Sequence, residues 1–157
     1  MPRSFYLAVA DALPGFLPKA YRDFSHVAYG RNLKVWFESP PEHYEVQLIG
    51  RAALKFAGIT APQGLEIGFH AEHPKTAAND AVLARLGARV VPKAVAGPFI
   101  GRPDIATRWR RVSEVWDGPN LQTDEAAIEA AERLGVYIAK IEPRRRRAAA
   151  GSERGGS

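Results

Sequence analysis

The sequence predicts an α+β fold. It reads as a two-layer sandwich in which an antiparallel sheet of about four to five strands carries helices packed on one face. Three observations predict it. Leu33–Glu38, His43–Ile49 and Leu65–Glu72 each alternate apolar and polar residues with one clean apolar face. Segments of helical spacing bracket these strands. The connections are short, which favours meander pairing of consecutive strands.

Taken in order, residues 3–13 place Phe5, Leu7, Val9, Ala12 and Leu13 at amphipathic helical spacing, and Pro14-Gly15 ends the run. Residues 16–30 are ambiguous. Phe16, Leu17, Ala20, Tyr21 and Phe24 have helical spacing, with Pro18 tolerated only in a first turn. Leu33, Val35 and Phe37 then share one face of a strand, with Lys34, Trp36 and Glu38 on the other. Ser39-Pro40-Pro41-Glu42 is a turn, because two prolines cannot continue a ladder. Tyr44, Val46 and Leu48 alternate with His43, Glu45 and Gln47, and Leu65, Ile67, Phe69 and Ala71 with Glu66, Gly68, His70 and Glu72. Between these two strands, Arg51–Ala57 carries a helical hint.

Pro74–Leu86 reads as a helix punctuated by Gly87. Val95–Ile100 suits a short edge strand, and Arg108–Trp116 a further alternating one. Asp117-Gly118-Pro119-Asn120 is a turn. Thr123 is an N-cap with Asp124 and Glu125 in the first turn, where the helix dipole favours acids. Ala127, Ile128, Ala131, Leu134, Ile138 and Ile141 form the apolar stripe, and Pro143 is expected to stop the helix. The expected organisation is a single domain over 1–143 and a disordered basic tail over 144–157, whose Arg, Ala, Gly and Ser cannot build a core.

Composition narrows the function classes. The 157 residues are 46% hydrophobic and 25% charged, an ordinary globular balance. The absence of cysteine removes disulfides, thiolate nucleophiles and cysteine-held zinc or iron–sulfur sites. No run approaches the ~20 apolar residues of a membrane span, and the N-terminus lacks the pattern of a cleaved leader, so the expected location is cytoplasmic. The net charge is +5, yet residues 1–143 hold 17 Lys+Arg against 16 Asp+Glu. The excess therefore sits in the tail, in Arg144, Arg145, Arg146, Arg147 and Arg154.

The candidate chemistry lies on the polar sheet face. A hairpin through the double proline sets Glu38 opposite His43, Trp36 opposite Glu45 and Lys34 opposite Gln47. Antiparallel pairing of the next two strands sets Gln47 opposite Glu66, Glu45 opposite Gly68 and His43 opposite His70. The row Lys34–Gln47–Glu66 has the pattern of a structural cross-strand set. Glu38, His43 and His70, with Glu72 nearby, have the donors of a two-histidine, one-carboxylate metal site for zinc, iron(II) or manganese. Glu45 or Glu66 with a histidine partner has the parts of a general acid–base pair. Trp36 beside Gly68 marks either a groove for a small ligand or a place covered by another segment, such as residues 97–107 or Trp109. The ligand-site candidates are thus Trp36, His43, Glu45, Glu66, His70 and Glu72.

A second set is cationic. Arg102, Arg108, Trp109, Arg110 and Arg111, with Arg144, Arg145, Arg146 and Arg147, offer phosphate-gripping and base-stacking groups. The alternative is a solvated face paired with the chain's own carboxylates. No phosphate-binding loop, dinucleotide fingerprint or GxSxG elbow is present, so no motif calls for a cofactor. The sequence thus favours a binding or accessory protein that contacts nucleic acid or an acidic protein partner, or that forms a homodimer. The competing expectation is a small-molecule or metal site on the polar sheet face.

Overall fold

The computed structural model describes residues 2–87 and 89–155. The elements in chain order are α1 (Pro2–Ala12), β1 (Ser25–Ala28), β2 (Asn32–Trp36), β3 (Glu42–Gly50), α2 (Arg51–Phe56), β4 (Gln63–Ala71), α3 (Thr76–Leu86), β5 (Val95–Pro98), β6 (Arg110–Asp117) and α4 (Asp124–Gly155). Short 3-10 turns occupy Leu13–Phe16, Lys19–Tyr21 and Pro103–Ile105. The fold is α+β, and all six strands pair antiparallel in the order β1-β2-β3-β4-β6-β5. None of the described helices is long and apolar enough to cross a membrane.

The alternation in the strands builds the core directly. Leu33, Val35, Tyr44, Val46, Leu65, Ile67, Phe69, Ala71 and Val112 are buried on one sheet face. Against them pack Phe5, Tyr6, Val9 and Leu13 from the N-terminal segment, and Ala127, Ala130, Ala131, Leu134, Tyr137, Ile138 and Ile141 from α4. Each large side chain removed from water here contributes about 1.5–3 kcal/mol. Ile128, expected in that stripe, is half exposed, and Ala130 and Tyr137 fill the space instead. The opposite face has a small apolar core of its own at one end, made by Ile49, Leu54 of α2 and Ile100.

Three expectations are corrected. Residues 25–28 form an edge strand rather than part of a helix, because β2 offers them an unpaired ladder and β1 buries little that would give it a period. The β2–β3 register pairs Lys34 with Glu45 and Val35 with Tyr44, two residues from the expected hairpin. The strands stop at Trp36 and Glu42, leaving a five-residue connection that turns one position earlier. An even slip keeps every side chain on its face.

Third, α4 does not end at Pro143 but runs to Gly155. Glu142 is fully buried, and Arg145 and Arg146 at i+3 and i+4 both bond its carboxylate (2.7–3.1 Å), while Tyr44 Oη donates to it at 2.8 Å. Arg144 donates to the Leu86 carbonyl at the end of α3 (2.6 Å), and Arg146 lies 4.7 Å over the Tyr21 ring. These contacts hold the helix on both sides of the proline, so Arg144–Arg146 belong to the fold rather than to a free tail. Residues 156 and 157 of the expected tail lie outside the described residues.

Candidate metal centre

The centre grows from one pattern used twice. His43-Tyr44-Glu45 on β3 and His70-Ala71-Glu72 at the end of β4 each place a histidine and a carboxylate two residues apart, hence on one face. The β3–β4 register sets His43 opposite His70, as expected, so the two His-x-Glu pairs run in opposite directions about the paired histidines. Glu45 then lies on one side of the histidine pair and Glu72 on the other.

The four donor atoms converge. His43 Nε2 lies 2.9 Å from Glu45 Oε1 and 3.2 Å from Glu72 Oε2; His70 Nδ1 lies 3.0 Å from Glu72 Oε2 and 3.6 Å from Glu45 Oε1. All four atoms fall within 4.8 Å of one another. A tetrahedral ion with bonds of about 2.0–2.1 Å has ligand–ligand edges of about 3.3–3.4 Å, and the four nitrogen–oxygen separations straddle that length.

The far nitrogen of each ring is also committed. His43 Nδ1 donates to the Pro40 carbonyl at 2.7 Å, and His70 Nε2 donates to Glu66 Oε2 at 3.0 Å. Each ring's proton in the neutral form is therefore used on the outer side, and a lone pair points at the carboxylates. Glu66 is held in turn by Gln47 Nε2 (2.5 Å) and Ser113 Oγ (2.6 Å), and Arg111 Nη1 donates to Ser113 Oγ at 2.9 Å.

This face is not solvated, contrary to what its polarity suggests. His43, Glu45, Glu66, His70, Arg111 and Ser113 are all buried, and Glu72 alone keeps a little exposure, 9%. The cover is the segment after β5. Phe99 packs edge-on against His70 with centroids 5.1 Å apart, Trp109 packs on Phe99, and Gly101 lies against Gln47.

Burial alone would push both imidazoles down in pKa. At His43 the hydrogen bonds to Glu45 and Glu72 outweigh it, and at His70 the charges of Glu66 and Glu45 do, so both lie above the usual histidine value. Burial would raise the carboxylates, yet the His70 charge and the His43 hydrogen bond bring Glu45 down to about 2. Glu72 and Glu66 are lowered too, by the hydrogen bonds of His43 and His70 and by the His70 charge respectively.

Of the expected site residues, His43, Glu45, Glu66, His70 and Glu72 come together. Two do not. Glu38 is exposed on the helix side, 4.0 Å from Arg145, because it falls in the β2–β3 connection. Trp36 is half-buried and pairs with Ser25 of β1, and makes none of the cluster's hydrogen bonds. The close approach that Gly68 allows is made by the neighbouring strand: a Cβ there would meet the Val112 carbonyl at 2.3 Å and Ser113 Cβ at 2.6 Å. Gln47 faces Glu66 as expected, but bonds it within the cluster rather than in a separate structural row, while Arg111 was expected in the cationic set and Ser113 was given no role. The signal for them was present, since alternation puts Arg111 and Ser113 on one face of β6, opposite His70 and Gly68 of β4.

The cationic set divides. Arg111 is buried in the cluster; Arg102 pairs with Asp104, Arg110 with Asp80, and Arg145 and Arg146 with Glu142. Arg108 and Arg147 are exposed, and Trp109 is half-buried against Phe99.

Fold and site together define an α+β protein with a buried, doubled His-x-Glu centre. No family model, no curated protein and no solved structure matches the chain.

Proposed function

We propose that this protein binds one divalent transition-metal ion through His43 Nε2, Glu45 Oε1, His70 Nδ1 and Glu72 Oε2. One observation carries the reading. Two ring nitrogens whose outer N–H groups are already used face two carboxylate oxygens, and among the described residues no other side-chain donor reaches those oxygens. Four acceptors pointed at one place need either two protons or one dication. Two carboxylates neutralise a dication, while Glu66 and Arg111 offset each other through Ser113. Imidazole and carboxylate donors at these nitrogen–oxygen separations suit zinc first, with iron(II) and manganese as competitors.

Four protein ligands and the Phe99 cover fit a closed centre, one that ties β3, β4 and the 99–101 segment together rather than one presenting an open coordination position. The protein is in this reading a metal-stabilised binding or accessory protein. The arginine set gives the nucleic-acid alternative less support, since Arg111 is buried and Arg102, Arg110, Arg145 and Arg146 are in ion pairs within the chain, leaving Arg108 and Arg147 among the exposed members. Elemental analysis of protein purified without chelator, followed by zinc titration of chelator-treated protein, tests the proposal. One equivalent of metal is expected, held more weakly in H43Q and in H70Q. A metal-free protein whose unfolding is unmoved by zinc, manganese or iron(II) removes it.

A further inference from the structure

We infer that Glu66 is a positioning residue for this centre, fixing His70 to bind metal through Nδ1 while His43 binds through Nε2. The inference rests on the metal reading above and adds to it which ring nitrogen each histidine uses and what sets that choice. A histidine can ligate through either nitrogen, and the hydrogen bond made by the other one decides. At His43 the deciding group is a neutral carbonyl, Pro40, 2.7 Å from Nδ1. At His70 it is a carboxylate, Glu66, 3.0 Å from Nε2. The two ligands are therefore unequal: a carboxylate behind an imidazole makes it the more basic donor.

Glu66 has no freedom to do otherwise. It is fully buried, and its two oxygens are taken by Gln47 from β3 and Ser113 from β6 as well as by His70. Ser113 is oriented by Arg111, whose Nε also donates to the Pro98 carbonyl of β5 at 3.2 Å. Four neighbouring strands thus contribute to the setting of one carboxylate. Gly68, between Glu66 and His70 on the same face, permits the approach of β6 that brings Ser113 within reach.

The test has two arms. In zinc-loaded wild-type protein, nitrogen–proton correlation spectra of the imidazoles should show His70 metallated at Nδ1 with its Nε2 proton retained, and His43 the reverse. Metal at Nε2 of His70 overturns the inference. In chelator competition, E66Q, which keeps the shape of the side chain, should bind zinc 10–100-fold more weakly. The same change should cost less than threefold in an H70Q background but its full factor in H43Q, because Glu66 acts through His70. A merely structural role would give equal losses in both backgrounds, and that result, or wild-type affinity in E66Q, overturns the inference while leaving the metal centre standing. Wild-type protein that binds no zinc removes both.

Discussion

Gly68 and the two histidines show what single positions decide. Gly68 sits at φ +157° in β4, and a Cβ there would press on the Val112 backbone carbonyl. Gly68→Ala should therefore destabilise by about 1–3 kcal/mol, read as a lower urea midpoint, because a backbone oxygen cannot step aside as a side chain can. A Gly68→Ala protein as stable as wild type would mean that β4 and β6 are not so closely apposed. The histidines carry a pH dependence. Their folded pKa values lie above the ordinary value near 6.5. In metal-free protein, protonation therefore adds stability that is fully present below about pH 6.5 and is lost as pH rises through the raised values. In the proposed centre zinc should reverse the trend, since its binding would displace those two protons and strengthen as pH rises. Urea midpoints at pH 6 and pH 9, in chelator and in zinc, should move in opposite directions. Parallel curves would count against the shared site. The doubled His-x-Glu pattern was legible in the sequence at this scale, because alternation alone puts each pair on one face. Glu38 was not correctly placed, because the turn geometry that removes it depends on where the double proline lets the ladder close.

Among the elements, α4 departs furthest from local propensity. A proline in a helix interior costs about 3 kcal/mol relative to alanine, and Pro143 is nonetheless spanned. The compensation is tertiary: Glu142 at 0% exposure, with Tyr44, Arg145 and Arg146 on it, and Arg144 on the last carbonyls of α3. Two outcomes follow. Pro143→Ala should raise stability by about 1–3 kcal/mol, since the restored N–H completes the helix without disturbing Glu142. Arg145→Ala should lower it by about 3 kcal/mol by leaving a buried carboxylate short of its partner. Chemical denaturation checks both, and a neutral Arg145→Ala would show that the last turns of α4 are not held by Glu142. The boundary at Pro143 was the reading local chemistry supports. It failed because the Glu142–Arg145 and Glu142–Arg146 pairs are anchored from far away in sequence, by Tyr44 of β3 on Glu142, the Leu86 carbonyl of α3 on Arg144 and the Tyr21 ring under Arg146. β1 was hidden for a similar reason, being an edge strand defined by its neighbour rather than by its own pattern.

For the whole molecule, the two sheet faces have different duties. One face is an apolar core under α1, α3 and α4; the other holds ionisable groups in a setting where unpaired charge is costly. Metal should thus be felt globally. At a hundredfold excess over Kd, zinc should add about 2.7 kcal/mol, raising the unfolding temperature by about 5–10 °C for a chain of this size, and chelator should reverse it. Unchanged unfolding across that titration would argue that two protons, not a cation, complete the centre.

The sequence by itself determined the α+β class, the three central strands and their faces, the β3–β4 register and five of the side chains that converge on one face. Period-two alternation and short connections are local properties, and they survive an even slip in register. Only the tertiary structure decided that the polar face around the histidines is buried, that Arg111 and Ser113 bond each other and Ser113 bonds Glu66, and that α4 continues past Pro143. Each of those depends on which distant groups meet, and for a buried charge the partner's distance and the loss of water outweigh anything its sequence neighbours specify.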